Sequence, residues 1–467
     1  SDEDSAAEGM STSSDPAHPS SSVWAESLRA QLSRFEHVDE NCLRAVEDYW
    51  LREYWIQFDE DDECCIDPRV HALLERMITP ERLMELSKRV VEKLATGLDD
   101  FSAVLIKKGG IELAKLFVDA LVRELSAFTF PESWCTWHAT LIPKPGKDPC
   151  KLSGWRDIWL QAHLWKLAMG CILPACSEPI DATRPWCNSG FDRKRGCPEM
   201  SMSLAHKIEL CMLLRRDLHL YFQDFAVFFP SIARMVFAFV LHERGAPTEA
   251  VQLMREMQDQ VLGCFKTAGG PTRLAQMLRG APIGGVESPM LSLAGVNLVQ
   301  RALEKFAHGS PILGMMTELV AVIQRWYADD AVNDDEKTRV VQACIDIMVI
   351  IATVFLRLKV GHDAVEASKS ASMSWRWFDG NFCRDPEARF TLPIGENLSD
   401  VELAIAELYR YLGIDIGPDL DPARAEESYR ARAQGLISLF GNIGGASCDQ
   451  LVHACNEIRH GTLMFPG

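Results

Sequence analysis

Apolar residues recur every three or four positions in the first part of the chain, which is the spacing of amphipathic helices. The pattern is clearest in "VWAESLRAQLSRF", in "TPERLMELSKRVVEKLA" and in "GIELAKLFVDALVRELSAF" at 110–128. Thr79 before Pro80 is typical of a helix start, with Thr as the N-cap and Pro at the first helical position. The pattern therefore predicts a helical N-terminal extension over 23–128.

After residue 128, short apolar runs separated by Gly and Pro replace the helical pattern. "SWCTWHATLIPKPGKDP" at 133–149 predicts a strand that runs into a turn, and "LHLYFQDFAVFF" at 218–229 predicts another strand. "ELVAVIQRWYADDAVND" at 318–334 predicts a hairpin with a tight turn near 328–330. Because helical patterns flank these strands, the predicted class is α+β with a small antiparallel sheet.

The two ends of the chain differ in composition. Residues 1–22 are acidic and rich in Ser, which is typical of a disordered tail, and they lack the basic and apolar regions of a signal peptide. Residues 418–467 are helical in pattern. The longest apolar run, at 345–356, is shorter than the roughly 20 residues that cross a bilayer, so it is interpreted as a buried helix. We expect an intracellular protein of the nucleus or cytoplasm, neither secreted nor in a membrane.

Charge is distributed unevenly along the chain. The net charge of −18 over 467 residues by itself argues against a nucleic-acid partner. Residues 1–66, however, contain 17 acidic and 4 basic residues and carry −13, which leaves −5 for the other 401. An acidic extension can mask a nucleic-acid groove without lining it. Fifteen cysteines without a CxxC pair suit a reducing compartment.

Three aspartates are candidates for a metal site. Asp224 ends an apolar strand, and Asp329 and Asp330 lie in the hairpin turn 105 residues later. Neighbouring carboxylates repel by about 4 kcal/mol at 4 Å for an effective dielectric near 20, so they are either solvated or neutralised by a cation. If only the adjacent Asp329 and Asp330 are considered, a solvated acidic turn is enough to explain them. If the strand and the hairpin share a sheet, the three carboxylates meet at one end and bind Mg²⁺, or Mn²⁺ as an alternative, for nucleotidyl transfer.

Successive blocks from about Leu141 to Gly413 resemble the reverse transcriptase domain of non-LTR (LINE-type) retrotransposons, in the order of that family. "FQDFAVFFPSI" at 222–232 is similar to the first catalytic aspartate motif, and "YADD" at 327–330 to the second. The other similar blocks are "LIPKPGKDP…WRDIWLQAHLWKL" at 141–167, "NSGFDRKRG" at 188–196, "GGPTRLAQMLRGAPIGGVESPMLS" at 269–292, "LRLKVGHDAVEASKS" at 356–370 and "YRYLGIDIG" at 409–417.

The resemblance implies a right-hand polymerase fold, with fingers and palm over 129–417 and all or part of a helical thumb at 418–467. Fingers at about 129–215 would precede a palm at about 216–417. The implied activity is an RNA-directed DNA polymerase that extends a DNA primer with dNTPs on an RNA template, using two Mg²⁺ ions. Two alternatives remain open: a catalytically inactive domesticated fold that binds nucleic acid or protein, and a retron or group II intron type of reverse transcriptase.

The resemblance also assigns roles to individual residues. It implies that Asp224, Asp329 and Asp330 are the catalytic metal ligands, that Phe225 adds its backbone carbonyl, and that Lys369 protonates the leaving pyrophosphate. The implied dNTP-binding residues are Lys144 and Arg156 at the triphosphate, Phe229 beneath the sugar, and Gly284. The implied template- and primer-binding residues are Arg193, Arg195, Gly280, Ser288, Tyr411 and Gly413.

Two positions depart from the family pattern. Ile283 precedes Gly284 where the family has a Gln that forms the template-side floor of the nucleotide site. Pro230 follows Phe229 where the family often has Asp. The first departure bears on efficiency and fidelity, and together with the acidic N-terminus and the weak basic balance of the chain it supports the inactive alternative.

Overall fold

The computed structural model describes most of the chain between residues 66 and 417. The tail 1–22, the remaining residues before 66 and the segment 418–467 lie outside the described residues. The described ranges are 66–90, 101–144, 148–151, 154–192, 195–226, 228–267, 269–306, 312–313, 319–320, 324–328, 330–354, 356, 358–360, 370–393, 400–412 and 414–417.

Helices make up the first described part of the chain, as the apolar spacing predicts. Thr79 caps the second helix, because its hydroxyl oxygen accepts a hydrogen bond from the Arg82 amide at 3.2 Å. The third helix starts earlier than predicted and bends at Gly110, whose φ of 71° is accessible to glycine. These helices are α1 (Pro68–Met77), α2 (Pro80–Lys88) and α3 (Val104–Ser126).

The later helices alternate with strands. The apolar run of 345–356 lies largely in a buried helix, as predicted, with Ile345, Met348 and Ile350 fully buried. No helix in the described ranges is long and apolar enough to cross a membrane. The later helices are α4 (Glu132–Cys135), α5 (His163–Ala182), α6 (Cys197–Leu214), α7 (Phe228–Ser231), α8 (Arg234–Glu243), α9 (Thr248–Asp259), α10 (Ser288–Phe306) and α11 (Thr338–Val354).

The strands form two five-stranded sheets and several short pairs, so the protein mixes helices with small sheets. In chain order the strands are β1 (Thr136–Pro143), β2 (Trp155–Leu160), β3 (Leu218–Gln223), β4 (Phe225–Ala226), β5 (Leu262–Thr267), β6 (Gly270–Pro271), β7 (Ala275–Gln276), β8 (Ile312–Leu313), β9 (Leu319–Val320), β10 (Gln324–Tyr327), β11 (Asp330–Asp335), β12 (Lys359–Val360), β13 (Ala371–Phe378), β14 (Asn381–Arg384), β15 (Thr391–Pro393), β16 (Asp400–Glu402), β17 (Tyr409–Tyr411) and β18 (Ile414–Ile416).

The first sheet has the order β2-β1-β5-β6, with β7 also paired to β5. Strands β1 and β2 form an antiparallel hairpin, whereas β1 and β5 run parallel through the register pair Thr136↔Leu262. One edge of β2 also receives a loop, because the Trp159 amide donates to the Ile283 carbonyl at 2.8 Å. The strand that carries Arg156 is thereby joined to the loop that carries Gly284.

The second sheet, which we call the carboxylate sheet, has the antiparallel order β10-β11-β3-β13-β14. All of β3 is buried, and its residues alternate between two cores. Leu220 and Phe222 pack into a smaller core with Trp375 of β13, whereas Tyr221 belongs to the larger core. Helix α11 packs against the larger-core face through β3 and β11.

The strand predicted over 218–229 is shorter in the structure. It ends at Gln223, and β4 turns away to pair with β12 through Val360↔Phe225. Phe228 then begins the short helix α7, in which Pro230 has the φ of a helical residue and no amide hydrogen to give to a sheet. This break leaves Asp224 between two strands rather than inside one.

Candidate active site

Asp224 and Asp330 lie at the same end of the carboxylate sheet. The last register pairs of β11 with β3 are Val332↔Phe222 and Ala331↔Gln223. Asp330 is the first residue of β11 and Asp224 directly follows β3, so both residues lie at the same end of this strand pair. Asp224 is half-buried and Asp330 is exposed. The sequence left open whether the strand before Asp224 and the hairpin share a sheet. They do, because β3 and β11 are neighbours in the carboxylate sheet.

The "YADD" hairpin has the predicted tight turn. Tyr327 pairs with Asp330, so β10 and β11 are joined by a tight connection that includes Ala328. Ala328 has a φ of 55°, the left-handed conformation that two-residue hairpin turns require. Asp329 itself lies outside the described residues, and so does Lys369. Nothing in the structure therefore tests the metal-binding and catalytic roles expected for them.

A hydroxyl that sequence reasoning missed holds the backbone of Asp224. Ser370 Oγ accepts from the Asp224 amide at 3.0 Å and donates to the Asp224 carbonyl at 3.2 Å. Gln223 Nε2 donates to the same carbonyl at 2.7 Å, and the Tyr221 hydroxyl donates to Gln223 Oε1. Ser370 is buried and directly follows Lys369 in the chain. The "KS" pair of the motif was the signal, but only its Lys was expected to matter.

Tyr409 is a second residue that the sequence analysis did not single out. Its ring stacks on Phe222, with centroids 3.9 Å apart and planes 11° from parallel. Burial raises the pKa of Tyr409, and the charges of Asp224 and Asp330 raise it further. The phenol therefore stays neutral beside both carboxylates. The alternation in "YRYLG", which puts Tyr409 and Tyr411 on one face of β17, was the available signal.

Cys197 and Tyr327 form a neutral pair beside Asp330. Burial raises the pKa of the Cys197 thiol to about 11, against a smaller lowering by its hydrogen bond to Tyr327. Burial likewise raises the pKa of Tyr327 to about 12, and Cys197 adds to this rise. Neither group is ionised near pH 7, so neither adds negative charge to the carboxylate end of the sheet.

Oxygen donors at this end suit a hard divalent cation such as Mg²⁺. Two carboxylates share the site, and Phe225, expected to lend its carbonyl, is buried directly after Asp224. Within the described ranges no group of three or more His, Cys, Asp or Glu residues is close enough to hold a metal ion. Asp329, the third expected carboxylate, is not in those ranges.

The glycine-containing loop 280–288 packs between α7 and β2. The Gly280 amide donates to the Ile232 carbonyl and the Ala281 amide to the Phe229 carbonyl, both at 2.8 Å. A Cβ on Gly280 would overlap the backbone of Pro230, and one on Gly284 would lie 2.9 Å from the Trp159 carbonyl oxygen. Both glycines are thus packed closely against protein backbone, and nothing in the structure tests the template and dNTP roles expected for them.

The residues expected at the triphosphate lie on the β1–β2 hairpin. Arg156 is exposed on β2, three residues before the Trp159 that receives the loop of Gly284. Lys144 follows β1 and closes the hairpin, because its amide donates to the Gly154 carbonyl at 2.8 Å. Phe229 is half-buried in α7, five residues after Asp224. Hydrogen bonds of the loop 280–284 thus link Arg156's strand to Phe229's helix.

The structure gives local partners to three residues expected at the template or primer. Arg195 donates to Asp192 at 2.9 Å and to the carbonyls of Trp186 and Asn188 at 2.6 and 3.1 Å, so it shapes its own loop. Ser288 is buried, and its hydroxyl donates to the Pro282 carbonyl at 2.6 Å.

Tyr411 is the third, and it is buried with its hydroxyl 3.4 Å from the Arg325 carbonyl. The template- and primer-binding roles expected for Arg195, Ser288 and Tyr411 stay predictions. Arg193 and Gly413 lie outside the described residues.

The first sheet and its turns carry positive charge although the chain as a whole is acidic. The described residues of 136–160 and 261–281 include six Lys or Arg and two Asp. We call this surface the basic sheet. The same ranges contain exposed apolar side chains, at Ile142, Phe265, Leu274 and Leu278. The six cations are Lys144, Lys151, Arg156, Lys266, Arg273 and Arg279.

No protein-family model matches the chain, and no curated protein matches its sequence. The order of the motifs and the geometry of the carboxylate end are therefore the grounds for assigning a function.

Proposed function

We propose that the protein is an RNA-directed DNA polymerase of the right-hand type, which extends a primer 3′-hydroxyl with dNTPs. The observation that carries the proposal is the pairing of β11 with β3, whose register brings Asp330 and Asp224 to the same end of one sheet. Two motifs 105 residues apart in sequence meet there, and the chain order of the motifs is that of reverse transcriptases. A solvated acidic turn does not account for a second carboxylate across the sheet.

The proposed metal ligands are Asp224, Asp330 and Asp329, with the Phe225 carbonyl beside them. When bound, Mg²⁺ would stabilise charge on the attacking and leaving oxygens of nucleotidyl transfer. Ser370 and Gln223 hold the Asp224 backbone in place, so that the carboxylate is positioned before substrate arrives.

The substrate contacts follow from the surrounding elements. Arg156, exposed on β2, would bind triphosphate oxygens through its planar guanidinium. Phe229 would lie beneath the sugar and exclude a 2′-hydroxyl, and Lys369 would give a proton to the leaving pyrophosphate. The basic sheet would bind phosphates of the template, and its exposed apolar side chains would contact unpaired bases.

The test is primer extension on an RNA template with dNTPs, measured with and without Mg²⁺. Asp224→Asn, Asp329→Asn and Asp330→Asn are compared with Asp119→Asn, a matched change at an exposed position on α3. We expect Asp224→Asn and Asp329→Asn to lower extension by about 100-fold or more, Asp330→Asn to lower it less, and the control to be unchanged. Because each change removes charge repulsion, the melting temperature without Mg²⁺ should stay level or rise.

Wild-type extension by Asp329→Asn would contradict the proposal.

A second candidate function, binding of primer–template without synthesis, is favoured by the basic sheet alone, since that surface does not involve the carboxylates. It predicts that wild type binds primer–template but extends none, and that the three Asn variants bind equally well.

A further inference from the structure

Phe191, in the "NSGF" segment, has an unusual backbone and an unusual exposure. Its φ is 56°, in the left-handed region that bulky side chains rarely occupy. Its side chain is 41% exposed although it is a large apolar group. Strain combined with apolar exposure is costly for folding, and residues held this way are concentrated at functional sites.

The surrounding loop fixes Phe191 against the "YADD" hairpin. The Trp326 amide donates to the Cys187 carbonyl at 2.8 Å, and the Ser189 amide donates to the Trp326 carbonyl at 3.1 Å. The segment thereby forms a short parallel bridge to β10. Next to Phe191, the Gly190 carbonyl accepts from Arg184 Nη1 at 2.7 Å.

Gly190 also packs so closely on Ala328 that a Cβ there would overlap the Ala328 backbone. The position of Phe191 is therefore tied to the turn between Tyr327 and Asp330.

The ring of Phe191 packs edge-on against Phe229. Their centroids are 6.3 Å apart and their planes are 72° from parallel. Phe229 in turn contacts Phe228 at 5.3 Å with an angle of 81°, and Phe228 contacts Phe225 at 5.7 Å. Phe225 and Phe228 are buried, Phe229 is half-buried, and Phe191 is the exposed end of this row of rings.

We propose that Phe191 is a specificity-determining residue that holds Phe229 in place against the nucleotide sugar. The inference rests on the proposed polymerase function and on the role of Phe229 within it. Phe228 supports one side of the Phe229 ring, and Phe191 supports another. Without Phe191 the half-buried ring of Phe229 gains freedom to move away, and a ribose 2′-hydroxyl meets less steric resistance.

The test is a double-mutant cycle read as the ratio of rGTP to dGTP incorporation by single-nucleotide extension. The proteins are wild type, Phe191→Ala, Phe229→Ala and the double variant, with Phe378→Ala as the control for loss of an exposed ring that is 66% accessible. We expect each single change to raise the ratio, by on the order of tenfold for Phe191→Ala, through a lower KM for rGTP. The double variant should match Phe229→Ala, because both changes act through one ring, and the control should leave the ratio unchanged.

A second variant separates function from folding. Glycine tolerates the left-handed backbone of position 191, so Phe191→Gly should keep or raise the melting temperature while it raises the rGTP ratio. If wild type extends primers with dGTP but Phe191→Ala and Phe191→Gly keep its ratio, the inference is wrong and the polymerase proposal stands. The inference is also wrong if the two single changes raise the rGTP to dGTP ratio independently, so that their effects multiply in the double variant. Failure of wild type to incorporate any nucleotide would overturn the polymerase proposal, and this inference with it.

Discussion

Glu287 is a carboxyl group buried in the protein interior. It lies in the loop just before α10 and is fully buried. Gln161 Nε2 donates to both of its carboxylate oxygens, at 3.0 and 3.3 Å. Burial raises the pKa of Glu287, although hydrogen bonds and the Arg234 charge oppose the rise. Ionising Glu287 in the folded protein therefore costs free energy.

This shift gives a prediction for stability against pH. A carboxyl group whose pKa is raised by folding binds its proton more tightly in the folded state, so it lowers stability once pH passes its ordinary value of 4.5. Glu287→Gln keeps an acceptor for Gln161 and cannot ionise. The variant should therefore become more stable than wild type. The difference in the free energy of unfolding should grow from pH 4.5 upward and level off above the pKa of Glu287 in the folded protein.

Urea unfolding at half-unit steps from pH 4.5 to pH 8 measures this difference. Glu112→Gln, at an exposed position on α3, is the control for the Glu-to-Gln substitution itself. A flat difference for Glu287→Gln would mean that the buried group is not penalised for its charge.

Contacts between elements fix the hairpin that carries the candidate site. The segment 187–190 is bound to β10 from one side, and on α6 the Lys207 ammonium lies 3.6 Å from the Asp334 carboxylate of β11. Arg325 of β10 also pairs with Asp334 and donates to Ser203 at 2.8 Å. These buried charges tie α6 to both strands of the hairpin, so a shift of either strand would leave a charge without its partner.

Gly190→Ala tests the tight contact of this segment with the hairpin. The added methyl group would overlap backbone atoms of Ala328, which cannot rotate away as a side chain can. We expect a loss of about 1–3 kcal/mol in the free energy of unfolding, as for other overpacked positions. Primer extension should fall at least tenfold even at temperatures where the variant is folded, because the "YADD" turn is displaced.

Gly269→Ala is the matched control, since a Cβ there would make only an ordinary contact with Thr267 at 3.8 Å. Equal stability and equal extension for the Gly190 and Gly269 variants would show that the segment and the turn move independently.

The separation of charge across the protein predicts how it responds to salt. Residues 1–66 carry −13 of the net charge of −18, whereas the basic sheet contains six cations in the described ranges. Deleting residues 1–65 removes a net charge of −13. The deletion keeps Asp67, whose carboxylate caps α1 by accepting a hydrogen bond from the Arg69 amide at 2.7 Å. Binding to primer–template should tighten at low salt and become equal to wild type above about 0.5 M salt, where the Debye length is only a few ångströms.

Fluorescence anisotropy with labelled primer–template across a salt series measures this effect. The control is a full-length variant in which the five acids at 59–63 are changed to Asn or Gln. It removes charge without shortening the chain. It should show a smaller shift in the same direction. Identical affinities for wild type, deletion and neutralised variant at every salt concentration would argue against masking.

Features that depend on nearby residues could be predicted from the sequence. The Thr79 cap, the buried helix α11 and the tight turn after Tyr327 each arise from residues within a few positions of one another. Capping, apolar spacing and turn geometry act over that range, so a linear pattern contains them. The order of the motifs is also a property of the sequence alone, and it led to the polymerase proposal.

Features that depend on distant residues could not be predicted in this way. The pairing that brings Asp330 and Asp224 to one end of the sheet joins strands more than 100 residues apart, and Ser370 bonds to Asp224 across 146 residues. The early end of β3 and the contact of Phe191 with Phe229 likewise depend on partners far along the chain. Burial and strand register arise only when the chain has closed these long loops, because the free energy comes from contacts that no local pattern encodes.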